Sequence, residues 1–136
     1  MDSQLGEGGM PLLGVIGLAF DSYGDGWASA SWTPTAMACN PFGIVHGGVY
    51  GVVLDAAMNF ALNAALDRGD RASTLQIEYS MPRGAKEGDP LTVRGEVERL
   101  TRSVGFVQAT VRDAENSVVA HATATFAVRR REPPLA

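Results

Sequence analysis

Hydrophobic and polar positions change their spacing twice along this chain, and the changes divide it into strands, one helix and strands again. Short alternating runs near Val15 to Phe20 and Trp27 to Trp32 flank the turn-forming Ser22-Tyr23-Gly24-Asp25-Gly26, a pattern that predicts a β-hairpin. Residues 33–45 contain Pro34, Asn40, Pro41 and Gly43 and are too broken for a regular element, so they read as an ordered loop. From about His46 to Leu66 the chain is almost wholly apolar, with Gly69 as a stop signal. Asp55, Asn59 and Asn63, each four residues apart, form one polar stripe along this predicted helix. Beyond it the period becomes two. Leu75, Ile77, Tyr79 and Met81 alternate with Thr74, Gln76, Glu78 and Ser80 and are expected to share a buried face, with Pro82 ending the strand. Leu91, Val93 and Val97 mark a second strand, and Val107, Ala109 and Val111 a third. After the Asp113–Asn116 turn, a last strand puts Val118, Ala120, Ala122, Ala124, Phe126 and Val128 on one face.

Two strands, one long helix and four strands in meander-like succession make an α+β pattern, a single antiparallel sheet wrapped around one central helix. The expected domain covers residues 11–130, with a flexible N-terminal tail at 1–10 and a C-terminal tail at 131–136. A helix apolar on nearly all sides needs more cover than one sheet supplies. A homodimer, paired further into a homotetramer, is the expected remedy.

Composition narrows the function classes. The chain has 136 residues, 46% hydrophobic, enough for one real core. With 19% charged residues and a net charge of −4, nucleic acid is not an expected partner. The run from Val49 to Leu66 is long enough to raise the question of a membrane span, but a carboxylate at membrane depth is costly and Asp55 sits in its middle. No membrane role is expected. The N-terminus lacks the pattern of a secretory signal, and Cys39 is the one cysteine, which fits a cytoplasmic protein. No cluster of ligands implies a metal, and Cys39 has no evident base to make it a nucleophile.

The chemistry concentrates between Asn40 and Asp55, in the sequence Asn40-Pro-Phe-Gly-Ile-Val-His46-Gly47-Gly48-Val-Tyr-Gly-Val-Val-Leu-Asp55. The first N–H groups of a helix have no intrahelical acceptor and lie at the positive end of its dipole, where they can stabilise an oxyanion. Glycine at 47 and 48 lets a substrate carbonyl approach that backbone. Gly47 and Asp55 are eight residues apart, about 12 Å along a helix. An oxyanion donor and a base or nucleophile must both lie within roughly 3 Å of the reacting group. If both act in one site, they come from different chains packed across a twofold axis.

These residues resemble the signature of the hotdog-fold acyl-CoA thioesterases of the phenylacetate-pathway and 4-hydroxybenzoyl-CoA type: Asn or Gln, a short loop, His-Gly-Gly, and Asp or Glu on the helix. The resemblance extends over roughly residues 12 to 128, including the Thr74-to-Pro82 strand and the Ala122-Thr-Ala-Thr-Phe126 ending. It implies hydrolysis of an acyl-CoA thioester, with Asp55 as nucleophile or general base and the Gly47 N–H as oxyanion donor. Asn40 would bind or polarise the thioester carbonyl, and His46 would orient the loop or contact the sulfur side. Asn59 stands where relatives often place a hydroxyl residue, a departure from the pattern. Coenzyme A, part of the substrate and not a cofactor, would need local cations: Arg83 and Lys86 after the first long strand, Arg102 with Ser103 in a turn, and Arg129-Arg130-Arg131. Arg102 is the first choice among them. Gly48, Tyr50, Met58 and Phe60 are expected to help shape the substrate pocket, which leaves aryl, medium-chain and branched acyl groups open. Two other functions remain on the same fold, a non-catalytic acyl-CoA or acyl-carrier binding module and an acyl-CoA dehydratase or isomerase. The latter usually carries an Asp…His pair at a different spacing, which is not found.

Overall fold

The computed structural model describes residues 5–132; the outer parts of the two expected tails, 1–4 and 133–136, lie outside them. Helix α1 (Pro11–Val15) leads into the hairpin β1 (Leu18–Gly24) and β2 (Trp27–Trp32). A short 3-10 turn (Ala36–Ala38) interrupts the next loop, and α2 (Gly47–Asn63) follows. The chain ends with β3 (Arg71–Ser80), β4 (Leu91–Leu100), β5 (Val104–Arg112) and β6 (Val118–Arg129). The six strands form one antiparallel sheet in the order β1-β2-β4-β5-β6-β3, so α2 carries the chain from the inner hairpin strand to the opposite edge. This is the α+β hotdog arrangement expected from the sequence.

The inner face of the sheet packs against α2. Val93, Val107, Ala109, Val111, Ala122 and Phe126 are buried beneath Val53, Leu54, Ala57, Met58, Ala61 and Leu62. The closest approach is at Gly95, where an added Cβ would come within 2.4 Å of the Ala57 carbonyl oxygen, so any side chain there would push the helix off β4. Trp32 fills the N-terminal end of the core and donates its indole N–H to the Ile16 carbonyl at 2.9 Å, which satisfies its one polar atom. No helix among the described residues is long and apolar enough to cross a membrane.

Several local expectations need correction. Val15 belongs to α1, not to the first strand; Pro11 opens that helix at a position where its missing N–H has no intrahelical partner to lose. The hairpin turn is only Asp25-Gly26, with Gly26 at φ 78°, and Ser22, Tyr23 and Gly24 pair within the ladder. The long helix stops at Asn63, three residues before Leu66. Part of the expected N-terminal tail is tied to the sheet, as Gly6 and Phe20 exchange both backbone hydrogen bonds. At the other end, Asp70 accepts from the Arg131 N–H at 2.8 Å and pairs with Arg130 at 3.2 Å.

The most consequential correction lies in β3. Thr74 pairs with Phe126 but Gln76 with Thr125, so Leu75 is the extra residue of a β-bulge. The bulge inverts the expected alternation on its N-terminal side: Leu75 is 65% exposed and Thr74 turns towards α2. Met81, also expected inside, lies just past the strand end and is exposed.

Candidate active site

The inverted residue meets the carboxylate singled out by the sequence. Asp55 is half-buried on α2, and Thr74 Oγ1 donates to its Oδ1 at 2.7 Å. Among the described residues Oδ2 has no partner, so one oxygen is anchored and the other remains available for chemistry. Thr74 was not expected at the site. In an alternating strand it reads as an outward polar residue, and only the bulge reverses that.

Asp55 opens onto a cleft of about 400 Å³ between α2 and the N-terminal segment. Met10, Leu12, Leu13, Phe20, Val52 and Phe60 give it apolar walls, while Asp55, Asn59 and Asn63 form the polar stripe predicted for the helix. Phe60 stacks on Phe20 with ring centroids 4.2 Å apart. Asn63 Nδ2 donates to the Asn59 carbonyl at 2.8 Å and to Asn59 Oδ1 at 3.3 Å, which fixes the Asn59 side chain one turn beyond Asp55. Tyr50 and Met58, expected to shape the pocket, do not line this cleft. Met58 is fully buried against the sheet, and Tyr50 packs edge-on to Trp32 at 5.5 Å. Both point away from the polar stripe because the sheet, not the cleft, covers that side of α2. Burial also pushes the Tyr50 phenol above its ordinary pKa.

The start of α2 is built by its cap. His46 is the N-cap residue, with φ −66° and ψ 136°, and its Nδ1 accepts from the Gly48 N–H at 3.0 Å. The Val49 N–H bonds to the His46 carbonyl at 3.0 Å. Gly48, expected to face the substrate, thus spends its N–H on His46, and the Gly47 N–H is the first-turn donor without a partner among the described residues. Asn40 shapes the approach loop: its Oδ1 accepts from Phe42 N at 2.9 Å and Ile44 N at 3.2 Å, leaving the Nδ2 donors to face elsewhere. Cys39, beside it, is pushed up by burial and then by the charge of Glu87, which suits a packed thiol better than a nucleophile.

The remaining expected residues divide between the two ends of the helix. Arg102 and Ser103 are exposed in the β4–β5 turn, next to the Gly105 backbone that lies under Leu62 near the end of α2. Arg83 follows β3 at the other end, near Met81 and Gly47. One chain therefore does not bring Arg83 and Arg102 together, nor Gly47 to Asp55, which lie on the same continuous helix. Arg130 is taken up structurally by Asp70 and by the Thr101 and Arg102 carbonyls.

Residues 42–120 match the family model of the Thioesterase superfamily. The chain belongs to that superfamily. A phenylacetic acid degradation-related protein of Ralstonia eutropha JMP134 is 30% identical to this thioesterase-superfamily chain, with a TM-score of 0.79 over 87% of this chain and 89% of the other. A Streptococcus mutans UA159 protein whose crystal structure holds acetyl-CoA is 25% identical, with a TM-score of 0.76 over 84% and 91% of the two chains. A Haemophilus influenzae relative with a provisional esterase designation is 25% identical over 113 residues, 83% of this chain and 81% of that one. These similarities support thioester hydrolysis as the general activity.

Proposed function

We propose that this superfamily member hydrolyses an acyl-CoA thioester, with Asp55 as the reacting carboxylate and the Gly47 N–H as the oxyanion donor. The observation that carries the reading is the Thr74–Asp55 hydrogen bond at the wall of an open cleft. It holds one carboxylate oxygen and leaves the other free, as either role requires. As a base, Asp55 takes a proton from water while the water attacks the thioester carbonyl carbon; the tetrahedral intermediate then breaks its C–S bond and CoA leaves as the thiolate, which takes up a proton. As a nucleophile, it forms the bond to that carbon itself, CoA departs as thiolate, and water opens the resulting mixed anhydride. In both routes the carbonyl oxygen gains negative charge, which a free helix N–H stabilises.

The eight-residue separation within α2 argues for a second copy of this chain, whose antiparallel helix would bring the partner's Gly47 to Asp55. Strand β3 supports such pairing, since it is a sheet edge whose outer backbone groups have no neighbouring strand among the described residues. An antiparallel neighbour would also bring the Arg102 end of one chain towards the Gly47 end of the other, where Arg83 already lies, so Arg102, Ser103 and Arg83 all become candidates for CoA phosphates. A coenzyme A ester is favoured by the acetyl-CoA held by the Streptococcus mutans relative. The apolar walls of the cleft favour an acyl group that is aryl or of medium length.

The test is a panel of acyl-CoA esters assayed for released thiol with the parent chain and Asp55→Asn. The reading expects turnover of at least one aryl or medium-chain ester and a loss of at least about a hundredfold in the variant at unchanged thermal midpoint. Turnover by Asp55→Asn within about tenfold of the parent would remove Asp55 from its role.

A further inference from the structure

Strand β3 reaches α2 at a second point, near the end of the helix that carries Gly47. Tyr79 Oη donates to the Gly47 carbonyl oxygen at 3.2 Å. Tyr79 and Thr74 are five residues apart, which would place them on opposite faces of a regular strand; the Leu75 bulge puts both on the helix side. One strand thus touches both candidate groups, Asp55 through Thr74 and Gly47 through Tyr79.

The helix is shaped to receive this ring. An added Cβ at Gly51 would lie 3.0 Å from Tyr79 Oη and 3.1 Å from its Cε1. Gly51 does not have the positive φ that favours glycine, so space for the ring accounts for it better than backbone freedom does. Glycine inside a helix is otherwise unfavourable. Next to Tyr79, the Met81 sulfur would be 3.5 Å from a Cβ at Gly47.

We infer that Tyr79 is a positioning residue for the oxyanion donor, with Gly51 as the gap that admits it. The inference rests on the proposed role of Gly47. Two successive glycines at a helix start are free to move, while an oxyanion donor must hold its N–H about 2.7–3.1 Å from the developing charge. A hydrogen bond from the sheet to the Gly47 carbonyl limits that movement without touching substrate. Displacement of a reacting group by about 1 Å can cost up to about a hundredfold in rate.

The experiment compares Tyr79→Phe, Gly51→Ala and the double variant with the parent, by kcat, KM and thermal midpoint on the best acyl-CoA ester. Tyr79→Phe should lose about five- to twentyfold in kcat with KM and the midpoint nearly unchanged. Gly51→Ala, which crowds the hydroxyl, should give a similar loss. The double variant should be no slower than the worse single one, because both changes break the same contact. Parental kcat in Tyr79→Phe, a loss that comes only with a lowered midpoint, or losses that multiply in the double variant would each overturn the inference. Gly47→Pro separates the two levels. If that variant is inactive while Tyr79→Phe is fully active, Tyr79 alone loses its role; if Gly47→Pro is active, the oxyanion reading fails first.

Discussion

Thr74 on β3 reaches Asp55 on α2 only because Leu75, the bulge residue between Thr74 and Gln76, shifts the strand's register, so the carboxylate is held by a residue that regular alternation would send to the outer face. Thr74→Ala should therefore lower kcat by about ten- to a hundredfold while leaving the fold intact, and Thr74→Ser should keep most of the activity by retaining the hydroxyl. Steady-state kinetics with a thermal melt for each variant checks this. An alanine variant as active as the parent would reduce the contact to packing.

Arg102 is exposed and lies in the β4–β5 turn, near the Leu62 end of α2. Its proposed contact with CoA phosphate acts equally in ground and transition states, so Arg102→Ala should raise KM about fivefold or more and leave kcat within about twofold. The same substitution should do little to a short thioester that lacks the nucleotide. An equal KM increase on that truncated substrate would contradict a phosphate contact.

Asp70 ties the start of β3 to the end of β6. The Arg131 N–H, then the Asp67 N–H and the Arg130 guanidinium, outweigh burial and hold its carboxyl below the ordinary range. A lowered folded pKa stabilises the fold fully above the unfolded value of about 3.9, and that contribution is lost as pH falls through the folded value. Asp70→Asn should accordingly be less stable than the parent at about pH 7, with the difference shrinking below about pH 4. Urea denaturation across that range measures it; a difference that grows on acidification would reverse the sign.

The sequence carried the helix and its polar stripe because the apolar period changes sharply at both ends, from two to helical and back. Asp55 and the His46-Gly47-Gly48 start were legible for the same reason, as departures from an otherwise apolar rod. Thr74 was hidden because a one-residue bulge leaves no composition signal and inverts every assignment on one side of it. Tyr50 and Met58 were misplaced for another reason: on a helix apolar all round, periodicity does not say which face meets the sheet. The wall formed by Met10, Leu12 and Leu13 is not legible as a site, since Met10 falls in the expected tail and a five-residue helix opened by proline has too few turns to show a period.

The shared site is the central claim, and subunit mixing tests it directly. Gly47→Pro removes the proposed oxyanion N–H, and the site accepts proline: Gly47 is the first residue of α2, and His46 before it is already extended at φ −66° and ψ 136°. Asp55→Asn removes the carboxylate. Each variant alone should be inactive, but a mixed dimer contains one site with both native groups and one with both lesions. Random exchange makes about half the dimers mixed, so activity should recover to roughly a quarter of the parent once exchange is verified by mass spectrometry. Recovery near that fraction is the predicted result; verified mixed dimers no more active than the separate variants would contradict a site built from two chains.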